Sequence, residues 1–520
     1  MGTYRLAVIL KNPSNDSEFL LVKEKRPPKF EDEEYDSYVD SDLWDLPSTQ
    51  LNLLEGESKS QVVVEFVDSH MEEINLRKLD FGSSLNQVFG QLGFGIVDGV
   101  GWKFWKYVKE AEFGPGLPIQ TVFITRNLEA ENQILPDKCK WMSVQSCLDW
   151  LLEVKRSGDR VGPMVVVGLV NDSAHSVKWK VPPTIRYQEY PPSVVLIPME
   201  SRTGKPFRTT NLVVFAPSNV SNDLESDSCV TYGDALIVDP GCRPESYEEL
   251  KNIVTALPRK LVVFVTHHHR DHVDGLKIVQ KCNPDATLLA HENTMLRIGR
   301  DDWSLGYTLI SGGEEFCISG ERLAVIFAPG HTDGHMALLH IKTHSLIVGD
   351  HCVGQGSSVL DITSGGNMTD YFQSTYKFLD LSPHAIIPMH GRVNLWPKQM
   401  LCGYLKNRRS REASILKAIE DGARTLFDIV ANVYSEVDRS FWIPAASNVR
   451  LHVDHLAKQH KLPKEFSIQK FQNTCGLHFL FQWSWAYLSS GFQLGKSQFL
   501  IAGAVAGFAV LYWVKHKLSN

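Results

Sequence analysis

Leu261-Val262-Val263-Phe264-Val265-Thr266-His267-His268-His269-Arg270-Asp271-His272 is the stretch that decides the fold. Its first five residues are an apolar, β-branched run of the kind that forms a buried strand. The loop that follows sets His267, His269, Asp271 and His272 in the order H-x-H-x-D-H. Alternating imidazoles in a short turning segment converge on one ion, and the Asp-His pair faces a second. Neutral imidazole with carboxylate oxygen suits Zn²⁺, and Mn²⁺ or Fe²⁺ as well. The pattern therefore points to a hydrolytic metal centre.

Three further apolar runs end in the same way. Leu323-Ala324-Val325-Ile326-Phe327 leads to Pro329-Gly330-His331-Thr332-Asp333-Gly334-His335, Leu346-Ile347-Val348-Gly349 to Asp350, and Ala385-Ile386-Ile387-Pro388-Met389 to His390. Ligands gathered at the carboxyl ends of several strands are a common way for α/β proteins to build a site. His268 points away from its neighbours if the loop alternates. His335 is expected to make a supporting contact rather than bind metal. His340, His344 and His351 lie outside any motif and are assigned surface or packing roles.

This ordered set, His267, His269, Asp271, His272, His331, Asp350 and His390, resembles the metallo-β-lactamase-fold hydrolases of the glyoxalase II branch. That branch carries Asp at the position of Asp350, where true β-lactamases usually have Cys. The resemblance implies an α/β fold, the αββα sandwich, over residues 190–398. It also implies two divalent ions, one held by His267, His269 and His331, the other by Asp271, His272 and His390, with Asp350 as the bridge. Asp239, in the strand-like run Ala235-Leu236-Ile237-Val238-Asp239, braces the site in this reading without binding metal. A hydroxide between the ions is the expected nucleophile. Asp271 and Asp350 are the expected catalytic carboxylates, Asp271 also orienting that hydroxide or taking its proton.

The stretch from Pro329 to Leu339, with Gly349-Asp350 and Gly354-Gln355-Gly356-Ser357-Ser358-Val359, is similar to the β-lactamase-like protein 2 type endoribonucleases. Such chains carry a winged-helix-like domain behind the metal domain, here expected over 402–465. Helical patterns over Arg411–Asp421, after a Thr425 cap, and over Ala445–Lys461 fit it. The basic run Lys406, Arg408, Arg409 and Arg411, with Arg450, Lys458 and Lys461, offers phosphate contacts to single-stranded RNA. A solvated helix face plus a domain brace explains the same charges.

Residues 1–180 read as a separate domain. The strands Arg5–Leu10 and Glu18–Lys23 followed by Leu43-Trp44-Asp45-Leu46-Pro47 resemble the opening of a Nudix domain. Between Gly56 and Glu73 the catalytic box is out of register, so a Nudix-like α/β fold without pyrophosphatase chemistry is expected.

At 520 residues, with 43% hydrophobic and 22% charged, the chain has material for two or three cores. A net charge of −7 excludes a generally nucleic-acid-coating protein, so RNA contacts would be local. Nine cysteines without a C-x-x-C pair suggest reduced thiols. No secretory signal is expected at the N-terminus. Phe499–Val514 is apolar and ends before Lys515-His516-Lys517, which fits a C-terminal hydrophobic helix as a membrane tail anchor over 498–514. An aromatic juxtamembrane segment, 475–497, precedes it. The outer membrane of a mitochondrion or plastid, or a peroxisome, would then be the address, with the catalytic part in the cytosol. Three functions compete: a metal-dependent phosphodiesterase acting on RNA, a glyoxalase II-like thioesterase or other acyl hydrolase, and a non-enzymatic membrane-tethered scaffold. The complete ligand set argues against the scaffold.

Overall fold

The computed structural model describes residues 3–54, 62–65, 75–95, 99–128, 135–155, 158–171, 181–216 and 231–491. Its contacts divide the chain into two units. The first comprises Met1–Ala328, Gly334–Ser357 and Ser374–Cys402, the second Pro329–Asp333, Ser358–Gln373 and the chain from Gly403 onward.

The first unit starts with strand Thr3–Asn12, antiparallel to Asn15–Lys23 and parallel to Ile119–Asn127. Alternation along it serves two cores at once. Leu6, Val8 and Leu10 meet Phe81, Leu85 and Val88 of helix Phe81–Leu92, while Ala7 and Ile9 meet Val165, Val166 and Leu169 on the other face. Side chains of period two thus bury this strand on both sides of a nine-stranded sheet. The segment Gly56–Glu73, where a Nudix box would fall, lies outside the described residues except for 62–65.

The same unit contains two further sheets, of seven and six strands. The strand Leu261–Phe264 lies within the larger sheet, parallel to Ala235–Val238 and Thr287–Ala290. Parallel strands covered on both faces need continuous apolar runs, which explains the LVVF sequence. Val262 and Phe264 face Leu323, Val325, Leu338, Ile347 and Ile387 of the six-stranded sheet. Leu261 and Val263 point the other way, against Leu250, Ile253 and Val254 of helix Tyr247–Ala256 and Leu276 and Val279 of helix Leu276–Cys282. The N-terminal sheet domain grips the chain around strand Ala385–Ile387. Arg160 donates to the carbonyls of Ser41, His384 and Leu395, and Arg392 forms a two-pronged pair with Glu110 at 2.7 and 2.9 Å.

The second unit is helical. The helix that enters it at Gly403 runs Pro397–Glu420, earlier in start than the Arg411–Asp421 expected, because nothing between Pro397 and Arg411 breaks it once Pro occupies the first helical position. Thr425 caps Leu426–Val433 in a full capping box with Asp428, as its sequence implied. Trp442–Lys458, Ile468–Asn473 and Leu477–Gly491 complete the bundle, and among its described residues no strand forms a wing. Its core gathers Ile415, Ile429, Val449, Val453 and Phe471.

Two expectations change here. Phe479 is 3% exposed and Trp483 donates from its indole to the Arg439 carbonyl at 2.7 Å, so these two aromatics belong to the bundle core, while Phe481, Trp485 and Tyr487 are exposed. Cys317 is disulfide-bonded, against the expectation of reduced thiols throughout; seven other cysteines are free. Among the described residues no helix is long and apolar enough to cross a membrane, and Phe499–Val514 lies outside them.

Candidate metal centre

Every predicted ligand of the first unit lies just past a strand end. His267 and His269 follow Leu261–Phe264, and Asp271 and His272 stand in the short helix Arg270–Val273 that closes the same loop. Asp350 follows Ser345–Ile347 through a tight turn at Gly349, and His390 follows Ala385–Ile387. Gly349 has φ +54, and a Cβ there would lie 2.4 Å from His335 Nε2, so only glycine allows this turn. Asp271, His272, Asp350 and His390 place ligand atoms all within 4.8 Å of one another, and His267, His269 and Asp350 do likewise.

Hydrogen bonds aim the rings. His272 Nδ1 donates to Asp239 Oδ2 at 2.8 Å, and His390 Nδ1 to the Thr209 carbonyl at 2.9 Å. Each bond fixes the tautomer with its lone pair on Nε2. His272 Nε2 then faces Asp350 Oδ1 at 3.4 Å and Asp271 Oδ2 at 3.8 Å; His390 Nε2 faces the same oxygens at 3.2 and 3.3 Å. His267 Nε2 and His269 Nδ1 lie 3.0 Å apart.

A model of the metallo-beta-lactamase superfamily matches residues 230–390, and one of the beta-lactamase associated winged helix domain matches 425–465. A beta-lactamase-like protein 2 homolog of Drosophila melanogaster is 30% identical over 213 residues, covering 38% of this chain and 69% of the relative. The chain belongs to the metallo-β-lactamase superfamily. The Caenorhabditis elegans beta-lactamase-like protein 2 homolog is 28% identical over 230 residues, covering 43% of this chain and 75% of the relative. A solved beta-lactamase domain protein from Burkholderia ambifaria is 18% identical, covers 57% of this chain and 96% of its own, and superposes with a TM-score of 0.46.

As a superfamily hydrolase, the chain offers a donor set that fits divalent metal. His272 Nε2 is fully buried without a hydrogen-bond partner, at distances too long for hydrogen bonds but suited to oxygens and nitrogens converging on a cation. Burial alone would lower the His390 imidazole, but the Asp350 and Asp271 carboxylates carry it to about 10. His272 rises well above its ordinary value against the same burial, through Asp350, Asp271 and Asp239. Burial would raise Asp350, yet His390 and His272 hold it far below the carboxylate range. Positive charge is thus demanded at the point where the carboxylates meet.

Asp239, expected from the sequence to brace the site, bonds to Thr266 and His272. It is fully buried at the end of Ala235–Val238 and accepts from the Thr266 amide at 2.8 Å, the Thr266 hydroxyl at 2.6 Å and His272. His335 supports rather than ligates: its Nδ1 donates to the Ala328 carbonyl, and its Nε2 accepts the Asp350 amide at 3.1 Å. Burial and the neighbouring His351 push it down to about 3, keeping it neutral for that acceptance. His340, His344 and His351 are buried in packing, bonded to Glu321, the Leu381 carbonyl and Thr375. His331 is in the turn Pro329–Asp333 of the second unit, and its Nδ1 donates to the Val359 carbonyl.

Sequence reasoning missed Thr210, Asn211 and Thr266. Thr210 donates to the Asp271 carbonyl at 2.8 Å, and Asn211 Nδ2 to the Pro388 and Gly391 carbonyls at 2.8 Å each. The signal was present: Thr209-Thr210-Asn211 are polar residues in a fully buried strand, Thr209–Phe215. Asn211→Ala is expected to orphan two buried carbonyls around His390 and destabilise the fold by roughly 2–4 kcal/mol, read in a urea titration. An unchanged midpoint would show that Asn211 does not hold this loop.

Proposed function

We propose that the chain is a dinuclear metal-dependent phosphodiesterase acting on single-stranded RNA. In this reading His267, His269 and His331 would hold one divalent ion and Asp271, His272 and His390 the other, with Asp350 contributing to the same set. The convergence of Asp271, His272, Asp350 and His390 within 4.8 Å carries the proposal. Two bound ions would supply a water acidic enough to attack near neutral pH and would polarise the electrophile.

The chain's own residues do the rest. Asp239 and the Thr209 carbonyl keep Nε2 of His272 and His390 as acceptors. Thr210 and Gly349 hold Asp271 and Asp350 at the strand ends, and His335 anchors the Asp350 backbone. Asp271 is placed to orient the attacking water.

Support for phosphodiester over thioester comes from the helical unit, which leaves Arg450, Lys458 and Lys461 exposed for phosphate. The purified full chain in detergent is expected to cleave single-stranded RNA with zinc or manganese and to lose that activity in chelator. Hydrolysis of S-acyl glutathione with RNA left intact would replace this reading by the thioesterase. A preparation that binds no transition metal would favour the scaffold.

A further inference from the structure

Arg408 was read from sequence as part of a basic run for nucleic acid, but it is 3% exposed. Its guanidinium donates to Asn448 Oδ1 at 2.7 Å and to the Ser358 carbonyl, and its plane lies 5.0 Å from the centre of the Tyr371 ring. A buried arginine with these partners is committed to structure, since removing it would leave a buried carbonyl and amide oxygen unsatisfied.

What Arg408 grips is the segment Ser358–Gln373, and that segment grips His331. The Asp361 amide donates to the His331 carbonyl at 2.9 Å, Asn367 to the Gly330 carbonyl at 3.0 Å, and Asp333 to the Ser364 carbonyl at 3.0 Å. The ring itself donates from Nδ1 to the carbonyl of Val359, the residue after Ser358. Gly330, at φ +134, lets the turn press on Tyr371: a Cβ there would lie 2.5 Å from Tyr371 Cα. Phe372 is held in turn, its ring 5.1 Å from His455 and 5.5 Å from Arg409. All of these residues fall within the second unit.

We infer that Arg408 is a positioning residue for His331, whose ring direction the C-terminal helical bundle sets through Ser358 and Val359. The inference rests on the proposed role of His331 as a ligand. The Ser358-Val359 backbone is the link: Arg408 holds one carbonyl, and the next fixes the His331 tautomer with its lone pair on Nε2.

The test is zinc titration of the full chain by calorimetry, with bound metal counted after dialysis, for wild type, His331→Ala, Arg408→Ala, Arg408→Lys and Asn448→Ala. Wild type is expected to bind two ions and His331→Ala to lose one. Arg408→Ala should weaken one of the two ions by about 10–100-fold, the loss typical of a ligand's supporting partner, and leave the other unchanged. Arg408→Lys should recover part of that loss, since an ammonium reaches one acceptor but not both. Asn448→Ala, a milder cut of the same anchor, keeps the test open if Arg408→Ala does not fold, and should weaken the same ion. If His331→Ala loses one ion while the Arg408 and Asn448 variants bind both as wild type does, the inference is overturned and the ligand reading stands. If His331→Ala keeps two ions, both are overturned.

Discussion

Asp350→Ala is expected to reduce hydrolysis by about 10³-fold or more and to leave the purified chain with fewer than two bound ions. Asp350 is the residue shared by both ligand clusters of the first unit, facing His272 at 3.4 Å and His390 at 3.2 Å. Removing it would take away a negative charge that bound divalent ions would need. Metal-derived charge stabilisation is worth several kcal/mol, and each 1.36 kcal/mol is tenfold in rate. The measurement is metal content beside turnover on the substrate found in the screen. Two ions retained with unchanged turnover would remove Asp350 from the site. The fold should survive, because the Asp350 carboxylate is largely within the cluster and its backbone is held separately by His335.

Asp239→Ala should act differently, through stability as well as metal. This carboxylate is fully buried and accepts from the Thr266 amide, the Thr266 hydroxyl and His272 Nδ1. Deleting one partner of a buried, hydrogen-bonded charge typically costs about 3–5 kcal/mol. At roughly 2–4 °C per kcal/mol, the melting temperature should fall by about 6–20 °C. Released from Asp239, the His272 ring loses its fixed tautomer, so metal affinity should fall by about 10–100-fold as well. Asp239→Asn, which keeps the shape and one acceptor, should recover stability more than affinity. A melting temperature within about 2 °C of wild type for Asp239→Ala would show that the bracing role is misassigned.

The site was legible in the sequence to the extent that it is local. His267, His269, Asp271 and His272 occupy one loop after one apolar strand, and the runs before His331, Asp350 and His390 repeat that grammar. Buried strands announce themselves by composition because both faces must be apolar, so Leu261–Phe264 and Ala385–Ile387 were visible. The cap at Thr425 was visible for the same reason: Thr and Asp satisfy amides three residues away.

What escaped were roles set by partners far along the chain. Arg408 looked like a phosphate contact because it stands among basic residues, but Ser358 and Asn448, 50 and 40 positions away, consume it. Asn211 was given no role, and its partners, the carbonyls of Pro388 and Gly391, come from about 180 positions on. Phe479 and Trp483 read as interfacial aromatics but pack into the bundle. A window of a dozen residues contains none of these partners.

The sequence by itself determined the ligand types, their order and their position after strands, because strand periodicity and metal chemistry are both properties of a few neighbouring residues. Only the tertiary structure decided which nitrogen of each candidate histidine is taken by a hydrogen bond and which is left over. His272 takes its tautomer from Asp239, His390 from Thr209 and His331 from Val359, and His335 is turned instead to the Asp350 amide. A ring's direction is set by the hydrogen bond on its far side, and sheet pairing and helix packing bring that acceptor from a distant part of the chain.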